Sequence, residues 1–117
     1  MSTSRAPHKD RIELLQGTLD LLILRTLLFG PAHGHAVAQQ IRRLSEDVLQ
    51  VETGSLYPAL HRLEAQGWIA SDWRLSDKGK RAKYYQLTRA GRKQLVAEQS
   101  KWEQLSIAMA RVLRPAE

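Results

Sequence analysis

The sequence of 117 residues contains no cysteine, no membrane-length apolar run and no apolar segment at its beginning. Without cysteine, disulfides and thiolate metal sites are excluded, and a reducing compartment is indicated. The first ten residues are polar and lack the apolar stretch of a secretory signal peptide. The leucine-rich run from Leu14 to Phe29 is too short to span a bilayer, and Gln16, Asp20 and Arg25 interrupt it. We therefore expect a cytoplasmic protein without membrane contact.

Positive charge is concentrated in one segment of the chain. The formal net charge is +6 at pH 7, and eight basic residues against a single acidic one lie between Arg74 and Lys93. The whole positive excess therefore arises there. A local concentration of this kind predicts a surface that faces a polyanion, whereas a solvated charge run is the alternative.

The first half of the sequence is predicted to form helices. A leucine-rich helix begins at Ile12 and ends before the Gly30-Pro31 stop signal. It is apolar nearly all round, so it must be buried from two directions. A second copy of the chain is the economical cover for one side, and a central position in a monomeric core is the alternative. A second helix is predicted from about His35 to Glu46.

The stretch TGSLYPALHRLEAQGWI, which starts at Thr53, predicts a third helix. Leucines recur on one face and form a buried seam of Leu56, Leu60 and Leu63. Proline is tolerated in a first helical turn, where its missing N–H had no partner, so we expect the cap at Gly54 or Ser55 rather than at Thr53. A helix N-terminus with exposed hydroxyl groups attracts anions.

The second half predicts a β-hairpin followed by a long helix. Aromatic and branched residues on both sides of SDKGKR favour two strands, and Gly79 suits the turn between them. From Thr88, which can cap it, a helical pattern continues to Arg114, and Pro115 follows. An apolar stripe at heptad-like spacing runs along this helix: Leu95, Trp102, Leu105, Met109 and Val112.

Three helices, a basic hairpin and a further helix are the element order of a winged helix-turn-helix domain. The predicted fold class is mainly α with a small β-hairpin, divided into a disordered tail (1–10), a DNA-binding domain (11–88) and a dimerisation helix (89–117). Hydroxyl groups at the third helix would bind DNA phosphates, His61 and Arg62 would approach base edges, and the hairpin would reach neighbouring phosphates or the minor groove. The predicted DNA-binding residues are Thr53, Ser55, Tyr57, His61, Arg62, Lys78, Lys80, Arg81 and Lys83.

Two segments carry a resemblance to a known family. GSLYPALHRLEAQGWIASDW, followed by KRAKYYQLTRAGRKQL, resembles the signature of PadR-type transcriptional regulators. The upstream GTLDLLILRTL and GPAHGHAVAQQI also match, with His35 where many members carry tyrosine, and the resemblance extends from about Leu14 to Leu95. It implies a homodimeric repressor of the branch with a short C-terminal part, in which the first and last helices form the dimer.

A two-fold dimer predicts a palindromic double-stranded operator. The residues expected at the dimer interface or in a ligand pocket are Leu15, Leu19, Leu22, Leu95, Trp102, Leu105, Met109 and Val112. Some members of the family sense aromatic or drug-like compounds between subunits, so the resemblance implies a small apolar or aromatic effector. Trp102 is either an anchor of the dimer core or part of such a pocket.

The sequence also contains residues that could indicate other classes of function. Ser55, His61 and Asp72 have the residue types of a catalytic triad, but no nucleophile elbow or glycine-rich phosphate loop accompanies them, so we expect no enzyme. His33 and His35 lie beside a Gly-Pro turn and are more typical of a plain loop than of a metal site. We expect no metal and no cofactor. A winged helix that binds only proteins, or RNA through stacking tyrosines, is the alternative function.

Overall fold

A computed structural model of the chain describes residues 12–13 and 16–115, with side chains described from residue 17 onward. The predicted disordered tail (1–10) lies outside the described residues. The elements in chain order are β1 (Ile12–Glu13), α1 (Gln16–Leu27), β2 (Ala32–His33), α2 (Gly34–Leu44), β3 (Leu49–Gln50), α3 (Thr53–Ala65), β4 (Ile69–Leu75), β5 (Arg81–Leu87) and α4 (Arg89–Leu113). The predicted fold class, mainly α with a small hairpin, is confirmed.

The strands form two separate units. β2, β5 and β4 make an antiparallel sheet of three strands in that order, and β1 pairs with β3 in parallel. The hairpin between β4 and β5 was predicted, and Gly79 has the positive φ of 77° that its turn requires. The three short strands β1, β2 and β3 were missed, because two residues are too few to show the alternation by which strands are identified.

The core lies among α1, α2, α3 and the sheet. The leucine seam of α3 is almost fully buried, with Leu56 3%, Leu60 0% and Leu63 1% exposed. It packs against Ile23 and Leu24 of α1, which belong to the same cluster of buried apolar residues. Area removed from water is the main source of stability here, at roughly 25 cal/mol per Å² of apolar surface. This seam therefore attaches α3 firmly to the body and leaves its other face free.

The last helix belongs to the body only in its first turns. The Thr88 hydroxyl accepts a hydrogen bond from the Gly91 amide at 3.0 Å, which confirms Thr88 as the N-cap. Leu95 is buried, but every residue from Gln99 to Pro115 is exposed. The helix of 25 residues is about 37 Å long at about 1.5 Å per residue, so its second half projects beyond the rest of the chain. None of the helices in the described part of the chain is both long and apolar enough to cross a membrane.

Candidate nucleic-acid interface

Helix α3 starts two or three residues earlier than predicted. The helix begins at Thr53 with Glu52 as N-cap, and the Glu52 side chain makes no capping hydrogen bond. The expectation of a cap at Gly54 or Ser55 was therefore wrong. The amides of Ser55 and Leu56 both bond to the Glu52 carbonyl oxygen at 2.9 Å, so the backbone is already helical before the serine.

Pro58 consequently lies in the second turn of α3, not in the first. At this position it removes the hydrogen bond that would reach the carbonyl of Gly54. Both Pro58 and Gly54 are exposed. Water can therefore hydrate the released carbonyl, which makes the proline tolerable on this face. The exposed ridge of α3 consists of Gly54, Pro58 and His61. Of these three residues, His61 has a side chain that can form hydrogen bonds.

Tyr57 lies at the edge of this ridge, against the start of α2. A Cβ atom added to Gly34 would lie only 2.9 Å from the Tyr57 hydroxyl oxygen and from its Cε1 atom. The ring therefore rests on the Gly34 backbone, and glycine is needed there for the close approach. The residue is nevertheless 46% exposed.

The two histidines at the start of α2 have different environments. His33 is the N-cap of α2, and its Nδ1 atom accepts a hydrogen bond from the Ala36 amide at 3.2 Å. Its ring packs edge-on against Tyr84, with 5.4 Å between centroids. His35 is exposed. In the part of the chain that the structure describes, no group of three or more histidine, cysteine or acidic residues is arranged to hold a metal.

Arg62 points away from the exposed ridge of α3. Its guanidinium donates a hydrogen bond to Asp20 Oδ1 of α1 at 2.5 Å, and the two form an ion pair. Its Nε atom is buried and has no hydrogen-bond partner among the described residues, and it lies beside a cleft of about 250 Å³ that Trp68 and Glu98 also line. Burial raises the pKa of Asp20, and the nearby Glu98 also raises it, while Arg62 lowers it in part. Arg62 thus connects α3 to α1 rather than extending toward a ligand of α3.

The tip of the hairpin, formed by residues 76–80, carries unpaired positive charge. Ser76 closes the loop, because its amide donates to the Lys80 carbonyl at 2.7 Å and its hydroxyl accepts from the Lys78 and Lys80 amides. Lys78, Lys80 and Arg81 are exposed. Within the described residues these three side chains form no ion pair. The structure thus presents Lys78 and Lys80 on a well-defined turn that also contains Asp77, with Arg81 at the start of β5.

Lys83 lies on β5 opposite Trp73, and it contacts α3. Its Nζ atom is 3.8 Å from Glu64 Oε1 of α3 and 5.8 Å from the centroid of the Tyr85 ring. Glu64 also accepts a hydrogen bond from the Ser71 hydroxyl of β4 at 2.6 Å. Glu64 therefore joins the hairpin to α3, so the cationic tip and the exposed ridge belong to one rigid unit.

Some of the residues predicted for a dimer interface or ligand pocket are buried, and others are exposed. Leu19 and Leu95 are buried within the chain, Leu22 is partly buried, and Leu15 lies outside the described residues. The rest of the stripe on α4 is exposed: Trp102 47%, Leu105 57%, Met109 50% and Val112 81%. Trp102 and Leu105 line a cleft of about 270 Å³ that is shared with Gly17, Thr18 and Leu21 of α1.

The structure does not bring together the three residues that have the types of a catalytic triad. Asp72 pairs with Arg74 at 3.0 Å, and no hydrogen bond joins Ser55, His61 and Asp72 in the described structure. Two exposed residues on the hairpin, Trp73 and Leu75, were not selected from the sequence. Alternation along β4 and the pairing with Arg81 and Lys83 would have revealed them.

Comparison with known proteins gives a consistent result. Residues 23–97 match the model of the transcriptional regulator PadR-like family. The chain is 35% identical over 94 residues to the transcriptional regulator Rv3488 of Mycobacterium tuberculosis, with 80% of this chain and 84% of that protein covered. A PadR family transcriptional regulator from Eggerthella lenta is 33% identical with a TM-score of 0.71, and 86% of each chain is covered. A transcriptional regulator from Clostridium thermocellum has a TM-score of 0.77 at 27% identity, over 85% of this chain and 96% of that one.

Proposed function

Because this chain belongs to the PadR-like family of transcriptional regulators, we propose that it binds a specific double-stranded operator as a homodimeric repressor. The members matched here are transcriptional regulators and not enzymes. One observation carries the proposal. Glu64 holds the cationic hairpin against the helix whose ridge is exposed, at 2.6 Å from Ser71 and 3.8 Å from Lys83.

The ridge of α3 and the hairpin have separate roles in this proposal. The ridge enters the major groove, where His61 reaches base edges and the hydroxyl groups of Thr53, Ser55 and Tyr57 bind flanking phosphates. Lys78, Lys80 and Arg81 bind phosphates beyond the groove, and Lys83 adds charge at the junction. Arg62 is excluded from the contact set, because its guanidinium is engaged by Asp20 on the far side of α3.

Dimerisation is the second part of the proposal. The core lies mainly in the proposed DNA-binding unit (11–88) and includes Leu95 of the terminal helix (89–117), whereas the projecting half of that helix leaves the stripe from Trp102 to Val112 exposed. A second copy that packs on this stripe would bury it, and α1 would join the interface through Leu22. Two-fold symmetry then places two copies of α3 at half-sites about 34–36 Å apart on a palindromic operator.

A small apolar or aromatic effector would bind beside this interface. The cleft of about 270 Å³ between α1 and α4 has Trp102 and Leu105 on one side. Such a cleft suits a flat apolar molecule. An occupant would change the packing of α4 on α1 and, through the dimer, the spacing of the two recognition helices. This would release the operator.

Selection of bound duplexes from a random pool tests the function directly. We expect a palindromic site, and we expect binding to weaken linearly with the logarithm of salt concentration. The Lys78→Ala, Lys80→Ala, Arg81→Ala triple variant should reduce the slope by up to about 2.7, at about 0.9 for each phosphate contact. A control triple variant of Arg43, Arg111 and Arg114 has the same change in net charge and should leave the slope unchanged.

Two results would contradict the proposal. An unchanged slope in the hairpin variant would show that the hairpin does not contact DNA. Failure to enrich any duplex, together with binding of single-stranded RNA or of a protein, would favour the alternative of an RNA-binding or protein-binding winged helix.

A further inference from the structure

The inner face of the hairpin continues beyond the part of it that packs on α3. Successive side chains of a strand alternate between faces, so Ser71, Trp73 and Leu75 share one face of β4. The strand register places Tyr85, Lys83 and Arg81 opposite them on the same face. Tyr85 is 6% exposed and Ser71 bonds to Glu64 of α3, so this face is the one turned toward the recognition helix.

Two large apolar side chains on this face have no cover. Trp73 is 59% exposed and Leu75 is 70% exposed, because the hairpin extends past the end of the core. The guanidinium of Arg81 lies 5.2 Å from the centroid of the Trp73 ring, an arrangement typical of a cation–π pair. Lys83 is the cross-strand partner of Trp73. The apolar strip thus lies between cations.

The combination of exposed apolar side chains and flanking cations limits which kind of partner can bind this face. A neutral apolar partner would have to desolvate the flanking cations, which is costly. A polyanion with an apolar surface fits both features, and a DNA minor groove provides phosphates at its edges and deoxyribose walls between them. Strands of seven residues are roughly 23 Å long at about 3.3 Å per residue, so a hairpin beside a helix in the major groove reaches the adjacent minor groove.

We propose that Trp73 and Leu75 form an apolar wedge that enters the minor groove next to each half-site and confers a preference for A·T pairs there. Apolar side chains that enter the minor groove open base steps, and among steps made of A·T pairs the flexible TA step resists this least. The inference rests on the proposed duplex binding. It adds a source of sequence preference that the phosphate-binding lysines do not provide, since phosphate contacts are independent of sequence.

Modified base pairs in the selected operator distinguish contacts in the minor groove from contacts in the major groove. Each A·T pair is replaced in turn by diaminopurine·T, which adds an amino group to the minor groove only, or by inosine·C, which keeps the minor groove of A·T but changes the major groove. At one or two positions outside the half-site, we expect diaminopurine to weaken wild-type binding roughly tenfold and inosine to have little effect. Positions under α3 should show the opposite response.

The variants Trp73→Ala and Leu75→Ala should bind the unmodified operator roughly tenfold more weakly and lose the response to diaminopurine. Their salt slope should equal that of the wild type. Phe29→Ala is the matched control, because Phe29 is 61% exposed and has Arg25 at 5.1 Å from its ring centroid, but it lies outside the hairpin. Melting temperatures of all variants verify the fold.

Three results would overturn the wedge. One is a wild type that is indifferent to diaminopurine throughout an operator that it binds tightly. Another is a Trp73→Ala variant that retains the diaminopurine response. The third is a Trp73→Ala variant that binds duplex normally and loses only single-stranded DNA, which would make Trp73 a stacking platform. Loss of duplex binding by the wild type itself would instead contradict the proposed function.

Discussion

The hairpin and the projecting half of α4 both expose large apolar side chains, but their charges differ. Around Trp73 and Leu75 the hairpin, residues 69–87, has five basic residues and two acidic residues. Around Trp102, Leu105 and Met109 the segment from Glu98 to Arg114 has three basic and two acidic residues. The hairpin is therefore strongly cationic, and the helix is nearly neutral.

This difference indicates different partners for similar apolar surfaces. Two copies of a nearly neutral stripe can pack together without repulsion, as the proposed dimer requires. Two copies of the cationic hairpin would repel each other, so its apolar residues require an anionic partner. Exposed apolar area shows that a surface binds something, and the neighbouring charges determine what it binds.

The largest effect is expected from Trp102→Ala. Loss of a buried tryptophan costs about 3–5 kcal/mol, and in a two-fold dimer it is lost twice. Dimer affinity should fall sharply and operator affinity with it, while the helix content stays largely intact because Trp102 lies outside the core of the chain. Sedimentation across micromolar concentrations measures this. A monomeric wild type that binds a palindrome tightly would contradict the dimer.

Gly91→Ala would disturb the hairpin and α4 together, since Gly91 lies where they meet. A Cβ atom there would lie 1.9 Å from the Trp68 carbonyl oxygen, which already accepts from the Thr88 amide at 3.1 Å. The backbone has to shift, and we expect a loss of about 3 kcal/mol in the free energy of unfolding. Denaturant titration is the measurement.

The control for this variant is Gly17→Ala, where no atom lies within 4 Å of the added Cβ. Alanine in a helix should raise stability by up to about 1 kcal/mol. Equal stability of the two variants would mean that the contact between Gly91 and Trp68 does not join the two regions.

A smaller effect is expected from Tyr57→Phe on the DNA-binding side. Loss of one hydrogen bond to a phosphate costs roughly 1–2 kcal/mol of operator affinity. The ring should stay against Gly34, so the melting temperature should not change. Unaltered affinity would remove Tyr57 from the contact set, and a lower melting temperature would show that the hydroxyl is structural.

The smallest effect concerns Asp20, which belongs to neither exposed surface. Burial raises its pKa in the folded state, so the folded chain holds this proton more tightly than the unfolded chain does. Its contribution to stability is present below the unfolded pKa of about 3.8 and is lost as pH rises through the folded value. Relative to Asp20→Asn, wild-type stability should therefore decline over that window by under about 1 kcal/mol. Thermal unfolding between pH 3 and pH 6 measures the difference.

Periodicity was sufficient to predict most of the fold. The α3 seam, the hairpin around Gly79 and the Thr88 cap follow from local patterns, and all three are confirmed. The predicted start of α3 was wrong, because Pro58 was expected in a first turn. A proline in a second turn is tolerated where water can hydrate the carbonyl that it releases. The DNA-binding residues stay a prediction, and the sequence did not indicate the orientation of Arg62, since its partner Asp20 is 42 residues away.

The sequence alone established the order of the four helices and the hairpin, the location of the positive charge and the family resemblance, because each depends on residue types and spacings within short segments. Long-range packing established which face each side chain occupies. It turned Arg62 toward α1, placed Lys83 beside Glu64 and left Trp73 and Leu75 beyond the core. These outcomes depend on where separate elements meet, and a local pattern does not contain that information.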